Sequence, residues 1–180
     1  MSQPVDHGSS PDAQPVERGS LRVLVAYATK HGSTREIGEA IAAVLRDEGL
    51  GGEARPAADG RGLAGFGAVV LGSGLYSATW LRDANRFVRA HRAALDAMPV
   101  WLFSSGPLDR SAESADIPMT KNVVEAIGGL VIRGHRTFGG RLREDSPEVA
   151  AGILATHHTG DYRDWAAIRA WAREVAAALR

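Results

Sequence analysis

The residues Thr29–Thr34 (TKHGST) combine three hydroxyl side chains with a glycine, between an apolar run and a helical pattern. A turn from strand to helix directs several backbone N–H groups and the positive helix end at one point. Thr29, Ser33 and Thr34 would add hydroxyl donors, and Gly32 would let the backbone approach a ligand closely. The segment therefore predicts an anion site suited to a monoester phosphate, although an ordinary capped turn would use the same residues.

Short apolar runs alternate with helical patterns along the chain from residue 21 onward. Strands are predicted at 21–27, 52–56, 68–71, 99–104 and within 130–138. Helices are predicted at 34–48, 79–95, 118–127 and 161–179, with a short one at 147–155. This order predicts an α/β fold: a doubly wound five-stranded parallel sheet with helices on both faces. Ligands of such sheets bind beyond the carboxyl ends of the strands.

Two local signals fix helix starts in this prediction. Ser33 and Glu36 fit a capping box at the start of the first helix. Pro118 fits the first position of a later helix, which Gly128 would end. Arg82, Arg86 and Arg89 recur at helical spacing and predict a basic stripe. Such a stripe is usually a solvated face, and a docking surface for an anionic partner is the alternative.

Composition limits the classes of function. The 180 residues are 44% hydrophobic and 23% charged, and 21 basic residues balance 21 acidic ones, so nothing predicts a nucleic-acid partner. The absence of cysteine excludes thiolate chemistry and suits a cytoplasmic location. No apolar run is long enough to span a membrane, which leaves peripheral membrane contact open. Residues 1–19 predict a disordered tail, and residues 20–180 predict one domain.

The residues Val25–Ile41 resemble the flavodoxin signature. The matching positions are Tyr27, Thr29, Gly32, Thr34 and Ile41. The resemblance implies a flavodoxin-like domain whose cofactor is FMN. It also implies that the FMN phosphate is held by Thr29, Lys30, His31, Gly32, Ser33 and Thr34. His31 would either add positive charge when protonated or offer only its backbone N–H.

Two further segments resemble the loops that hold the isoalloxazine ring in this family. The first implies contacts from Ser73, Gly74, Leu75 and Tyr76. The second implies contacts from Ser104, Ser105, Gly106, Pro107 and Leu108. Tyr76 is interpreted as a ring that stacks on the flavin, whereas Trp80 is interpreted as a core residue.

The chain is similar, more narrowly, to the menaquinone-dependent protoporphyrinogen oxidase branch of the flavodoxin family. The similar features are the Gly-Ser-x-x-Tyr loop, Met98-Pro99 and Asp164-Trp165, whereas the segment 141–160 is shorter and less basic than usual. The branch implies an FMN-dependent oxidoreductase that oxidises protoporphyrinogen, or a similar small-molecule substrate, with a quinone acceptor. No side chain is predicted to be catalytic, because the chemistry resides in the flavin.

Other functions stay open at the level of sequence. A flavodoxin-type electron carrier between protein partners would share the fold and the cofactor. Lys30–Thr34 also resembles the Arg-His-Gly-x-Thr motif of histidine phosphatases, but Lys30 cannot reproduce the forked geometry of arginine. His157, His158 and Asp161 do not predict a metal site, because adjacent side chains diverge.

Overall fold

The structure is a computed structural model that describes residues 19–114, 116–152 and 159–180. The predicted tail lies outside these residues except for Gly19, and so do His157 and His158. Among the residues it does describe, no helix is long and apolar enough to cross a membrane.

Five strands form the central sheet, and every neighbouring pair is parallel. Within the described residues, the strands are β1 (Arg22–Ala28), β2 (Gly51–Pro56), β3 (Ala68–Tyr76), β4 (Thr79–Trp80), β5 (Val100–Ser105), β6 (Gly134–Phe138), β7 (Arg141–Leu142) and β8 (Gly160–Asp161). The order in the sheet is β2-β1-β3-β5-β6, which reverses direction beside β1. The predicted doubly wound sheet is confirmed, with β4 added antiparallel to β3 and with β7 and β8 paired separately.

Helices cover both faces of the sheet. They are α1 (Ser33–Asp47), α2 (Arg82–Ala90), α3 (Arg92–Asp96), α4 (Ser111–Ser114), α5 (Lys121–Ile127), α6 (Pro147–Ala150) and α7 (Trp165–Ala178). Val23 and Val25 of β1 pack with α1 and α7, whereas Leu24 and Ala26 pack with α2, α3 and α5. Alternate residues of a strand point to opposite faces, so the continuous apolar run of β1 serves two cores.

The capping box predicted for the first helix is wrong, and two later helices begin after their predicted starts. Gly32 precedes α1 with a φ of 86° and no side-chain cap, so Ser33 and Glu36 form no capping box. Thr120, not Pro118, caps α5 by accepting a hydrogen bond from the N–H of Val123. Asp161 pairs with β7, and α7 begins only after Asp164, whose carboxylate accepts from two backbone N–H groups.

The helix predicted at 79–95 is divided and begins late. Thr79 and Trp80 pair with the end of β3 through a two-residue hairpin at Ser77 and Ala78, which have φ values of 49° and 59°. Such turns need positive φ at both central positions, which side-chain-bearing residues rarely adopt. The hairpin therefore extends β3 toward the ligand side of the sheet before α2 begins. Arg82, Arg86 and Arg89 lie on α2, where the stripe was predicted.

Candidate functional site

A cleft of about 530 Å³ lies at the carboxyl ends of β1, β3 and β5. Its size is within the range of small-molecule sites, roughly 300–1,000 Å³. The lining residues come from four segments and are Thr29, His31, Ser33, Thr34, Gly74, Leu75, Tyr76, Ser77, Ser105, Gly106, Pro107, Leu108, Asp109, Gly140, Arg141 and Leu142. The structure thus brings most of the residues predicted for the phosphate loop and the two ring loops to one place.

The turn before α1 has the geometry of an anion site. The hydroxyl of Thr29 accepts a hydrogen bond from the N–H of Gly32 at 3.0 Å, which holds the turn closed. The first helical bond runs from the N–H of Glu36 to the carbonyl of Gly32, so the N–H groups of residues 33–35 precede the helical ladder. Unpaired N–H groups at a helix start favour a bound anion.

Ser33 supplies the observation that tests whether a phosphate fits this turn. Its hydroxyl oxygen is buried and has no hydrogen-bond partner among residues 19–114, 116–152 and 159–180. Buried hydroxyls are normally satisfied, and one left unpaired costs about 1–3 kcal/mol. A phosphate oxygen in the cleft would accept its proton, so the residues present fit the group that FMN would place there.

The first ring loop lies directly against this turn. A Cβ atom at Gly74 would come within 2.9 Å of the Tyr76 ring and 3.4 Å of the Thr34 hydroxyl. Tyr76 is 38% exposed at the cleft, which leaves ring surface available for stacking. Lys30 places its ammonium 5.5 Å from the centroid of that ring and does not line the cleft. At this distance the ammonium of Lys30 and the ring of Tyr76 form a cation–π contact.

Two of the predicted contact residues have their hydroxyls directed into the scaffold. The Ser73 hydroxyl donates to the carbonyl of Gly74 and accepts from the N–H of Leu81. The Ser104 hydroxyl accepts from the indole N–H of Trp80 at 3.0 Å and lies 3.1 Å from His135 Nε2. Neither serine lines the cleft, so both hold the strand ends in place. Trp80 is 3% exposed, which confirms its interpretation as a core residue.

His135 sits behind the second ring loop as a neutral group. Burial lowers the pKa of His135 to about 4, and the opposing charge of Asp116 does not compensate. The imidazole is therefore uncharged at neutral pH, and its contact with Ser104 is a hydrogen bond between neutral partners.

The fourth segment that lines the cleft, Gly140–Leu142, forms a wall that the sequence analysis did not predict. A Cβ atom at Gly139 would come within 1.9 Å of the carbonyl oxygen of Tyr162. Gly140 donates its N–H to the carbonyl of Pro107 and accepts from the N–H of Tyr162. The backbone after β6 is thus held between the second ring loop and the segment before α7. Adjacent glycines directly after a predicted strand were the available signal.

Arg141 projects from this wall into a network of charged side chains. Its guanidinium donates to both carboxylate oxygens of Glu36, and Arg163 donates to the same carboxylate at 2.8 Å. Burial alone would raise the pKa of Glu36, but the hydrogen bonds and charges of the two arginines outweigh it and lower that pKa. Arg163 also binds Asp161 through both carboxylate oxygens and lowers the pKa of that group.

This fold and cleft define a class of protein: a doubly wound α/β domain whose ligand cleft lies at the switch point of its sheet. Residues 24–150 match the model of the Flavodoxin domain family. The chain belongs to that family, and membership implies FMN as the cofactor. Comparison with curated protein sequences gives no significant match.

Solved structures share the fold at low sequence identity. A flavodoxin from the domain Archaea has a TM-score of 0.59 at 13% identity, over 88% of this chain and 99% of that one. A mutant form of the flavodoxin from Pseudomonas aeruginosa has a TM-score of 0.54 at 15% identity, over 88% and 99%. Rubredoxin oxygen:oxidoreductase from Desulfovibrio gigas has a TM-score of 0.59 at 16% identity, but this chain spans only 38% of its length.

Proposed function

We propose that this domain is an FMN-dependent oxidoreductase that oxidises a small-molecule substrate and passes the electrons to a quinone. Protoporphyrinogen or a similar compound is the proposed substrate, by resemblance of the sequence to that oxidase branch. Each turnover would remove two electrons and two protons from the substrate and reduce one quinone to a quinol. Bound FMN would supply the two-electron redox chemistry, which requires no side-chain nucleophile.

The observation that carries the cofactor assignment is the unpartnered Ser33 hydroxyl at a helix start, in a cleft lined by both ring loops. Thr29 and Thr34 would bind the phosphate with Ser33, while Gly74, Leu75, Ser105, Gly106, Pro107 and Leu108 would enclose the ring. Tyr76 would cover one ring face and exclude water from it. His31 lines the cleft beside the phosphate loop, where its imidazole would favour a bound phosphate when protonated.

The balance of charge at the cleft favours an enzyme over a carrier. Among the described residues that line it, the Asp and Arg side chains are one carboxylate, Asp109, and one guanidinium, Arg141. Flavodoxins, by the resemblance, hold FMN among many carboxylates, and negative charge opposes the addition of electrons to the ring. A site without that excess supports transfer of electrons in pairs.

An electron carrier between protein partners is the second candidate, and the comparisons favour it in one respect. Two proteins described as flavodoxins are matched over 99% of their own length. The described fold thus corresponds in extent to nearly the whole of each of these two flavodoxins, which supports the carrier.

The decisive experiment has two stages. An absorption spectrum of the purified protein, followed by identification of the released flavin, should reveal FMN. Failure to bind FMN would overturn both candidates and would favour the histidine phosphatase that Lys30–Thr34 resembles. Anaerobic protein is then mixed with protoporphyrinogen and a quinone. Turnover supports the enzyme, whereas bound FMN that reduces a redox protein but turns over no substrate supports the carrier.

A further inference from the structure

We infer that Arg141 is an additional phosphate-binding residue of the cofactor site, held in position by Glu36 and Arg163. The inference deepens the proposed function and rests on its FMN site. By the family resemblance, the phosphate loop binds its ligand without an arginine, so Arg141 would be a feature of this chain.

The backbone places Arg141 in the wall of the same cleft as the phosphate loop. Arg141 lines the cleft together with Thr29 and Ser33. Its position depends on Gly140, which is fixed by hydrogen bonds to Pro107 on one side and Tyr162 on the other. Arg141 also pairs with Asp161 in the short ladder of β7 and β8. The backbone of Arg141 is therefore held in place in the wall of the cleft by hydrogen bonds on both sides.

The guanidinium retains donors that can serve a ligand. Nη1 and Nη2 of Arg141 donate to Glu36 at 3.1 and 2.8 Å. These two bonds use two of its five N–H groups, and its guanidinium has no other hydrogen-bond partner in the part of the chain that the structure covers, although Asp161 feels its charge. The side chain is 22% exposed and belongs to the lining of the cleft, so it is not sealed off from a ligand bound there. A guanidinium matches the geometry of phosphate oxygens.

Glu36 orients Arg141 because it is itself fixed. It lies in the first turn of α1, next to the residues that would bind phosphate. Its second partner, Arg163, has a side chain that is only 2% exposed and that also contacts the Trp165 ring and Asp161. The two arginines and two carboxylates carry no net charge together. Arg141 would thus contribute directed hydrogen bonds more than bulk attraction.

The test compares the affinity of variants for FMN and for riboflavin, which lacks the phosphate. Dissociation constants are measured by titrating flavin fluorescence with flavin-free protein. Arg141→Gln should weaken FMN at least ~10-fold, since a hydrogen bond to a charged group is lost, and should change riboflavin by less than ~3-fold. Equal weakening of both ligands, or no weakening of FMN, would overturn the inference.

Arg143→Gln is the matched control. Arg143 is an exposed arginine two residues away, paired with Asp145, and it does not line the cofactor cleft. It should leave the affinity for both flavins unchanged, and a loss of FMN affinity equal to that of Arg141→Gln would count against a specific contact.

Two further measurements separate a failure of folding, or of the phosphate loop, from a failure of the role inferred for Arg141. If Arg141→Gln does not fold, Arg141→Lys keeps the charge but loses the forked geometry, and its FMN affinity should still fall while riboflavin binding holds. If the wild-type protein does not prefer FMN to riboflavin, the phosphate loop itself is misassigned. If the wild type prefers FMN and Arg141→Gln or Arg141→Lys keeps that preference in full, only the role of Arg141 fails.

Discussion

Replacing Ser33 by alanine should have opposite effects on the stability of the empty protein and on its affinity for FMN. The hydroxyl oxygen of Ser33 is buried without a partner in the described structure, and Ser33, the first residue of α1, belongs to the lining of the cleft. An unsatisfied buried hydroxyl costs free energy, and alanine at this position removes it without disturbing the helix. A residue that only stabilised the fold would not show this pattern.

The two magnitudes follow from the same hydroxyl. Removing the unsatisfied group should raise the free energy of unfolding of the flavin-free protein by about 1 kcal/mol, which is roughly 2–4 °C in melting temperature for a domain of this size. Removing a donor to a charged phosphate costs about 1.5–3 kcal/mol of binding, so FMN should bind roughly 10- to 100-fold more weakly. Riboflavin should bind nearly as before.

Denaturant unfolding of the flavin-free protein and fluorescence titration with both flavins measure these effects. Ser20→Ala is the control, because the Ser20 hydroxyl is also buried without a described partner but precedes β1, at the end of the sheet away from the cleft. It should stabilise the protein and leave both affinities unchanged. The reasoning fails if Ser33→Ala destabilises the empty protein, or if it weakens riboflavin as much as FMN.

Four other perturbations test separate parts of the structure. The pKa of His135 is about 4 in the folded protein against an ordinary 6.5, so between these pH values the unfolded chain binds a proton that the folded protein does not. The free energy of unfolding should therefore be highest above pH 6.5 and should fall as the pH is lowered toward 4, by roughly 1–2 kcal/mol after allowance for solvent screening. His135→Gln should flatten that slope in unfolding measured across this pH range, and an unchanged slope would exclude His135 as its cause. Ala78→Gly should raise the free energy of unfolding by about 0.5–1 kcal/mol, because glycine relieves a φ of 59°, while Ala78→Val should lower it; a destabilising glycine would contradict the strain. Asp109→Asn should shift the flavin midpoint potential upward by tens of millivolts in spectroelectrochemistry, since it removes a negative charge from the cleft, and a downward shift would refute this. A chain beginning at Ser20 should keep its melting temperature and flavin content, because residues 1–19 have no apolar pattern to bury; a drop of several degrees would show that they pack on the domain.

The sequence by itself determined the parts of the molecule whose signals are local. The continuous apolar run of β1 marks a strand buried on both faces, and the patterns after it alternate between strand and helix, so the parallel sheet was predictable. The phosphate loop was equally local, because Thr29, Gly32 and Thr34 lie between one strand and the helix that follows it. The loops after β3 and β5 could be assigned to the cleft because the carboxyl ends of parallel strands meet at one edge.

Tertiary structure decided which way individual side chains face within those segments. Ser73 and Ser104 lie in the predicted ring loops, yet their hydroxyls bond to Leu81, Trp80 and His135 behind the cleft. A strand alternates its faces with every residue, and a hairpin at positive φ paired Thr79 and Trp80 with the end of β3 where a helix was predicted. Neither the end of that strand nor the direction of its last side chains is encoded in the residues nearby.

The wall that carries Arg141 depended entirely on distant contacts. Arg141 and Glu36 are separated by 105 residues, and Arg163 and Glu36 by 127. An Asp, a Glu and two Arg residues at such separations are indistinguishable in sequence from the solvated charges that cover any domain. They become a network only because α1, β7 and the segment before α7 converge at one corner of the sheet. Arg163 is buried there, so leaving its charge unpaired would be costly, and this cost favours its pairing with Glu36 and Asp161.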